Sequence, residues 1–206
     1  MQAERYHALL ELAEQSGQTV AEYLRNELPE YWQREYRTNS GRPTEIYVFT
    51  YGTFDYIFDT YQPDEMYDPL SGVPPIEARL VAAIGQSNPK SSNRDDGRLR
   101  GWPIDRAADG GGPWDKGHFI GHSIGGAIDG CEANAFRQLR SVNRGRYRTM
   151  ESYCRRNPGI LCFSRPVYED VSAMPVQIEF GILKADGQLW VELHSNLPGP
   201  AATERW

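Results

Sequence analysis

Apolar positions recur at helical spacing at the start of the chain and at a spacing of two from residue 45 onward. Residues 3–15 place Tyr6, Leu9, Leu10 and Ala13 on one helical face, and Gly17 supplies a stop. Thr19 with Glu22 three residues later forms the capping-box pattern for a second helix running towards Tyr36, in which Pro29 predicts a kink or a break. The stripe Val20, Tyr23, Leu24, Leu28, Tyr31 and Trp32 marks its core-facing side. Residues 45–51 and 54–61 are rich in β-branched and aromatic residues and bracket Gly52-Thr53, which predicts a hairpin. Residues 77–84 fit a short strand or a helix equally well. The polar, Gly-rich stretch 86–112 predicts a long loop. Strands are expected again at 160–168, 175–184 and 188–194, the last two joined by a turn at Asp186-Gly187. The resulting fold class is α+β with a mainly antiparallel sheet and an N-terminal helical extension over residues 1–40.

Composition narrows the class. A chain of 206 residues with 39% apolar and 12% aromatic residues can bury a sizeable core, as one large domain or one domain with an extension. No apolar run approaches the ~18 residues of a membrane span, and the first residues lack the basic-then-apolar order of a secretory signal. The expected location is the cytoplasm, or export by a specialised system without a cleavable signal. The three cysteines, Cys131, Cys154 and Cys162, show no CxxC spacing, which argues against a disulfide framework or a zinc ribbon. The net charge of −6 is unevenly spread: residues 137–156 hold seven Arg and a single Glu. A local field of that kind acts on a ligand within about 10 Å whatever the global charge.

The chemistry concentrates after residue 114. In Asp115-Lys116-Gly117-His118-Phe119-Ile120-Gly121-His122 the glycines disfavour a helix and suit a strand entering a glycine-rich turn. A histidine placed there either reaches a ligand from an exposed edge or caps the turn as a structural group. His122 reads as structural, and a zinc hydrolase built on His118 and His122 lacks a third ligand. If 143–156 is one helix, Asn143, Tyr147, Glu151 and Arg155 form an i, i+4 ladder along it. Taken singly, Asn143 could be an N-cap and Glu151–Arg155 a surface ion pair.

Taken together, the run Asp115-Lys116-Gly117-His118, Asn134-x3-Gln138, Asn143-x-Gly145, Glu151 and Arg155 resembles the DNA/RNA non-specific endonuclease family, most closely the nuclease domains of bacterial polymorphic toxins. The resemblance is strongest over residues 98–196. It implies a ββα-metal (His-Me finger) core within a nuclease domain at 41–206, and a metal-dependent endonuclease that hydrolyses phosphodiester bonds of DNA, RNA or both to 5′-phosphate ends with little sequence specificity. It implies His118 as general base, Asn143 as the direct protein ligand of the metal, and Glu151 as the carboxylate that orders water around that metal. Arg155 would hold the phosphate or the transition state. Asn134 belongs to the same catalytic set and, with Gln138, braces hairpin and site. Arg100, beside Trp102, is the candidate upstream phosphate contact, and Arg146 and Arg148 join it from the Arg-rich stretch.

The implied cofactor is a divalent metal, Mg²⁺ or alternatively Mn²⁺. Mg²⁺ keeps several waters, so one amide oxygen suffices to hold it without a carboxylate cluster. The implied partners are the nucleic-acid substrate and a cognate immunity protein, the chain acting as an antibacterial effector; no membrane is involved. Lys116 stands where the family most often has Arg, which removes a planar bidentate fork from that position. The competing reading is a non-catalytic nucleic-acid-binding or adaptor protein on a degenerate nuclease fold, its acidic N-terminal half engaging a protein.

Overall fold

The computed structural model describes residues 2–63, 76–89, 113–127, 132–198 and 203–205. Helix α1 spans Gln2–Ser16 and α2 spans Val20–Asn39. Thr19 closes the capping box: its Oγ1 accepts from the Glu22 backbone N–H at 3.2 Å, and the Glu22 carboxylate accepts from the Thr19 N–H at 3.1 Å. Helix α2 runs through Pro29, so of the expected kink or break the break is absent. A proline in a helix interior costs ~3 kcal/mol. Burial of Leu24, Leu28 and Trp32 on the same helix offsets that cost, because each such side chain contributes ~1.5–3 kcal/mol.

Seven strands form one antiparallel sheet: β1 (Ile46–Tyr51), β2 (Phe54–Asp59), β3 (Arg79–Gln86), β6 (Leu161–Val167), β7 (Gln177–Leu183), β8 (Leu189–Ser195) and β9 (Thr203–Arg205), in the order β1-β2-β3-β6-β7-β8-β9. Strands β4 (Trp114–His118) and β5 (Ala135–Leu139) make a separate two-stranded ribbon. The predicted hairpins at 52–53 and 186–187 are present, each with glycine at positive φ. The ambiguous 77–84 stretch is strand β3. Nearly all its residues are buried, so it carries no polar face to betray its period. Two short helices follow the ribbon, α3 (Arg140–Arg144) and α4 (Arg146–Arg156).

Each face of the sheet buries its own core. Tyr6, Leu24, Leu28 and Trp32 of the helices pack on Ile57, Val81, Ala82, Leu161 and Phe163. On the other face, Phe119, Ile120, Phe136, Tyr147, Met150 and Cys154 pack on Tyr56, Leu80, Ala83, Phe180 and Ile182. A β-bulge serves this division. Ile57 pairs with Ala82 and Phe58 with Leu80, so Val81 is the extra residue and both Val81 and Ala82 serve the helix face. Polar links reinforce that face: the Tyr6 hydroxyl donates to buried Glu179, and Arg165 bridges Glu179 and Glu35 at 3.0 and 2.6 Å. Cys154 and Cys162 are free, buried thiols, and Cys131 lies outside the described residues. No helix among the described residues is long and apolar enough to cross a membrane.

Strand β8 also buries His194, 1% exposed, edge-on to the Tyr147 ring. Burial lowers its pKa to about 4, with the Arg146 charge adding to the effect and Glu192 opposing it. The unfolded chain, with an imidazole near ~6.5, therefore binds the proton more tightly. The neutral buried form stabilises the fold fully above that value, and the contribution is lost as pH falls from ~6.5 through 4, up to about 3 kcal/mol. Denaturant midpoints at pH 7.5 and 4.5 should draw closer together in His194→Phe than in the wild type. An unchanged gap would show that another group carries the acid sensitivity.

Candidate functional site

The ribbon, the loop after it and helix α4 form one packed unit. Strand β4 pairs antiparallel with β5, with Lys116 opposite Arg137, Gly117 opposite Phe136 and His118 opposite Ala135. Alternation therefore puts Lys116, Arg137 and His118 on one face of the ribbon and Asp115, Gly117, Phe136 and Gln138 on the other. Phe136 and Gln138 are buried, whereas Lys116, Arg137 and His118 are only half-buried. The first set thus forms the more open face, although the Nε2 atom of His118 is itself buried. Arg137 lies over the Trp114 ring at 5.4 Å.

Beyond Phe119, whose N–H still donates to the Asn134 carbonyl at 3.0 Å, the backbone leaves the ribbon, and side chains supply several of the hydrogen bonds that a strand partner would otherwise provide. Asn134, fully buried, donates through Nδ2 to the carbonyls of Ile120 at 2.8 Å and Ala127 at 2.6 Å, and its Oδ1 accepts from the Ile120 N–H at 2.9 Å. The Tyr147 hydroxyl donates to the Phe119 carbonyl at 2.5 Å, and the Tyr56 hydroxyl accepts from the Ala127 N–H at 2.9 Å. Burial pushes the Tyr147 phenol well above its ordinary pKa, so it stays a proton donor. Within this loop His122 opens a short 3-10 turn and is half-buried.

Glycine makes room for the carboxylate. A Cβ on Gly121 would fall on Glu151 Oε1, so the Glu151 side chain fills the space that a residue larger than glycine would take. Glu151 is half-buried on α4, one helical turn beyond Tyr147. Helix α4 thus touches the loop at residues 119 and 121, just past His118.

A second clamp lies three residues before His118. Asp115 accepts from Asn143 Nδ2 at 3.3 Å, from Arg144 Nε at 2.7 Å and from Arg140 Nε at 3.0 Å. Burial raises the Asp115 pKa, but the bonds from Arg144, Arg140 and Asn143 outweigh it and hold the carboxyl below its ordinary range. Because Asn143 donates through Nδ2, its Oδ1 is turned away from Asp115 and makes no hydrogen bond to a described residue. By strand rise, Asp115 and His118 are ~10 Å apart along β4, on opposite faces.

The expected single helix over 143–156 is two helices. Gly145, at φ −100° and ψ −117°, breaks the chain, and a Cβ there would fall on the Ser141 carbonyl oxygen. Asn143 therefore belongs to α3, outside the i, i+4 ladder, and is not the N-cap of α4; Gly145 is. Arg155 is exposed and forms no ion pair with Glu151, whose carboxylate goes to Gly121 instead.

The arginines divide by partner. Arg140 and Arg144 are spent on Asp115. Arg146 grips buried Glu192, Nη2 to Oε1 at 2.6 Å, and lies over Trp190, so its charge is balanced internally. Burial raises the Glu192 pKa, but the Arg146 and Trp190 hydrogen bonds bring it below its ordinary value. Arg148, Arg155 and Arg156 remain exposed. Arg100 lies outside the described residues. Arg137 is the residue that reading the sequence left unassigned. Only the ribbon register shows that it shares the open face with His118, and its buried Nε makes no hydrogen bond to a described residue. Gln138 braces by packing rather than bonding: a Cβ on Gly117 would fall on its side chain, and its buried amide makes no hydrogen bond to a described residue.

Asn134→Leu should leave three buried backbone groups of the 119–127 loop without partners, each costing ~1–3 kcal/mol. Amide hydrogen exchange at Ile120 should accelerate strongly while β6 to β8 keep their protection. Unchanged exchange at Ile120 would show that the loop does not depend on this amide.

No family model matches this chain, and no curated protein matches its sequence.

Proposed function

We propose that this chain is a metal-dependent endonuclease that hydrolyses phosphodiester bonds of DNA, RNA or both with little sequence specificity, on a ββα-metal core formed by β4, β5 and α4. The observation that carries the reading is the bracketing of His118. Asp115–Asn143 fixes the chain before it, and Phe119–Tyr147 and Gly121–Glu151 fix the chain after it. Lys116 and Arg137 share the ribbon face of this imidazole, whose Nε2 is itself buried, and two cations there favour an anion as ligand.

The roles follow from residue type and position. His118 accepts the proton of the attacking water, since imidazole changes charge near neutral pH. Glu151, held against Gly121, orients water by accepting its hydrogen bonds. Arg148 and Arg155, exposed on α4, and Arg137, on the open face of the ribbon, contact phosphate oxygens, to which guanidinium donors are matched. Asn134 is a positioning residue whose amide is fully used on the loop backbone.

The residues also suit a hydrated divalent cation. Among the described residues no group of three or more His, Cys, Asp or Glu side chains is placed to hold a metal. A hydrated Mg²⁺ anchored by one amide oxygen needs none, and Asn143, anchored through its nitrogen to Asp115, offers that oxygen. Such an ion, when bound, supplies Lewis-acid compensation for charge developing on the phosphoryl and leaving oxygens. An immunity protein bound to this chain, and its action as an antibacterial effector, belong to the same proposal on the strength of the resemblance to toxin domains.

Plasmid DNA and a defined RNA should be cut in Mg²⁺ and left intact in excess EDTA. His118→Ala should lower the rate by about 10²–10⁴-fold, the usual worth of a general base, without loss of folding. Full cleavage in EDTA or by His118→Ala would overturn the mechanism, and retention on a gel without cutting would favour a binding protein. Gly121→Ala should keep its melting temperature within a few degrees, since the flexible end of Glu151 can move aside, yet lose most of its activity. Undiminished cleavage by that variant would remove Glu151 from the mechanism.

A further inference from the structure

Strand β1 ends the seven-stranded sheet, and among the described residues no strand pairs with its outer edge. Its pairing with β2 runs from Ile46–Asp59 to Tyr51–Phe54 without a bulge. The Thr60 N–H donates to the Glu45 carbonyl at 2.8 Å, which makes Glu45–Thr60 a hydrogen-bonded pair of this antiparallel ladder. Such pairs alternate along the strand. Tyr47 and Phe49 therefore bond inward to β2, while Ile46, Val48 and Thr50 turn their N–H and C=O groups outward.

Edges of this kind are normally blunted by shortness, by a bulge, or by lysine or proline. Strand β9, at the opposite end of the sheet, is three residues long, whereas β1 is six and carries no charge, proline or bulge. Large apolar groups meet solvent there. Tyr47 is 61% and Val48 47% exposed, two of the four large hydrophobic residues that stand exposed among the described residues. The Tyr47 ring stacks on Phe49, and Phe49 on Tyr56, at interplanar angles of 21° and 11°, so this aromatic row ends in an open ring at the edge.

We infer that this edge pairs with β1 of a second copy of the chain, antiparallel about a two-fold axis at Val48, so that two seven-stranded sheets become one. Every outward backbone group then finds a partner. Val48 faces Val48, and on either side Ile46 of one copy faces Thr50 of the other, each pair exchanging two hydrogen bonds. Between these pairs Tyr47 of each copy stands opposite Phe49 of the other, in the closer non-hydrogen-bonded spacing, and continues the ring stack. Charge favours a like partner. A two-fold contact presents the same patch on both sides, so like charges meet, and a chain of net charge −6 tolerates that where the patch carries none, as Ile46–Tyr51 does. Glu45, the flanking carboxylate, aligns with Tyr51 of the other copy, which leaves the two Glu45 groups ~20 Å apart, about two Debye lengths. Asp55, on the neighbouring strand, is held by Arg25 at 3.1 Å. The pairing consumes both β1 edges and closes at a dimer. One strand pair buries less than the ~1,200–2,000 Å² of stable complexes, so the dimer is weak and depends on concentration. Strand β1 carries none of the residues of the nuclease reading, and the pairing is independent of it.

Sedimentation equilibrium of the whole chain should show a passage from monomer to dimer between about 10 µM and about 1 mM. Val48→Lys, which sets two ammonium groups against each other on the axis, should stay monomeric over that range with a melting temperature within a few degrees of the wild type. Oxidation with diamide reads the register. Val48→Cys should cross-link into a covalent dimer, since directly opposed Cα atoms lie ~5.5 Å apart, whereas Thr50→Cys should not, its two copies being ~14 Å apart. The wild type, with its own three cysteines, sets the background. If Val48→Lys does not fold, the wild-type equilibrium and the two cysteine variants decide. A wild type still monomeric at about 1 mM, a dimer undiminished in Val48→Lys, or cross-linking of Thr50→Cys as complete as that of Val48→Cys would each overturn the assignment.

Discussion

The candidate site depends on one irregular loop being held as firmly as a strand. Beyond Phe119, whose N–H donates to the Asn134 carbonyl at 3.0 Å, residues 120–127 have no ladder partner, and the backbone groups that their own turns leave over need acceptors and donors from elsewhere. Asn134 provides three of these bonds from one amide, and Tyr147 and Tyr56 provide two more from opposite sides, α4 and β2. The loop is therefore tied at once to the ribbon, the helix and the main sheet. His118, at its edge, inherits that rigidity. A side chain that must meet a phosphate within a few tenths of an ångström benefits more from such anchoring than from contacts of its own.

The two faces of the sheet solve the problem of burying polar groups differently. On the ribbon face, amide and phenol groups satisfy the backbone of the 119–127 loop, and one buried carboxylate, Glu192, is paired with Arg146 of α4. On the helix face, the burial of Arg42, Asp59, Arg165 and Glu179 creates paired charges, and such pairs fix geometry more than they add stability.

How much of this was legible in the sequence follows from how local each cause is. The Thr19–Glu22 capping box, the hairpins and the helical stripes depend on residues within a few positions of each other, and they appear where the pattern places them. Strand β3 was ambiguous because burial on both faces removes the alternation that marks a strand. The break between α3 and α4 was hidden because one glycine in an otherwise helix-compatible run signals only tolerance, and its necessity comes from the Ser141 carbonyl. Spacing alone offers Arg155, four residues on, as one partner for Glu151. The real neighbour, Gly121, is thirty residues away and announces itself only by having no side chain.

The arginine-rich stretch shows why a count of charges overstates an anion-binding surface. Seven cations within twenty residues suggest a continuous positive field. Folding sends three of them to Asp115 and Glu192, neither of which lies in that stretch, and stacks a fourth on Trp114. The cations of that stretch left exposed are Arg148, Arg155 and Arg156 on α4, and Arg137, half-buried against Trp114, shares the ribbon face of His118. A field of that extent, screened over ~10 Å in physiological salt, reaches a phosphate near the ribbon and little else. An acidic chain can therefore present a small cationic patch to a polyanion without attracting it elsewhere, and the acidic first half of the molecule adds a repulsion that confines such an encounter to that patch.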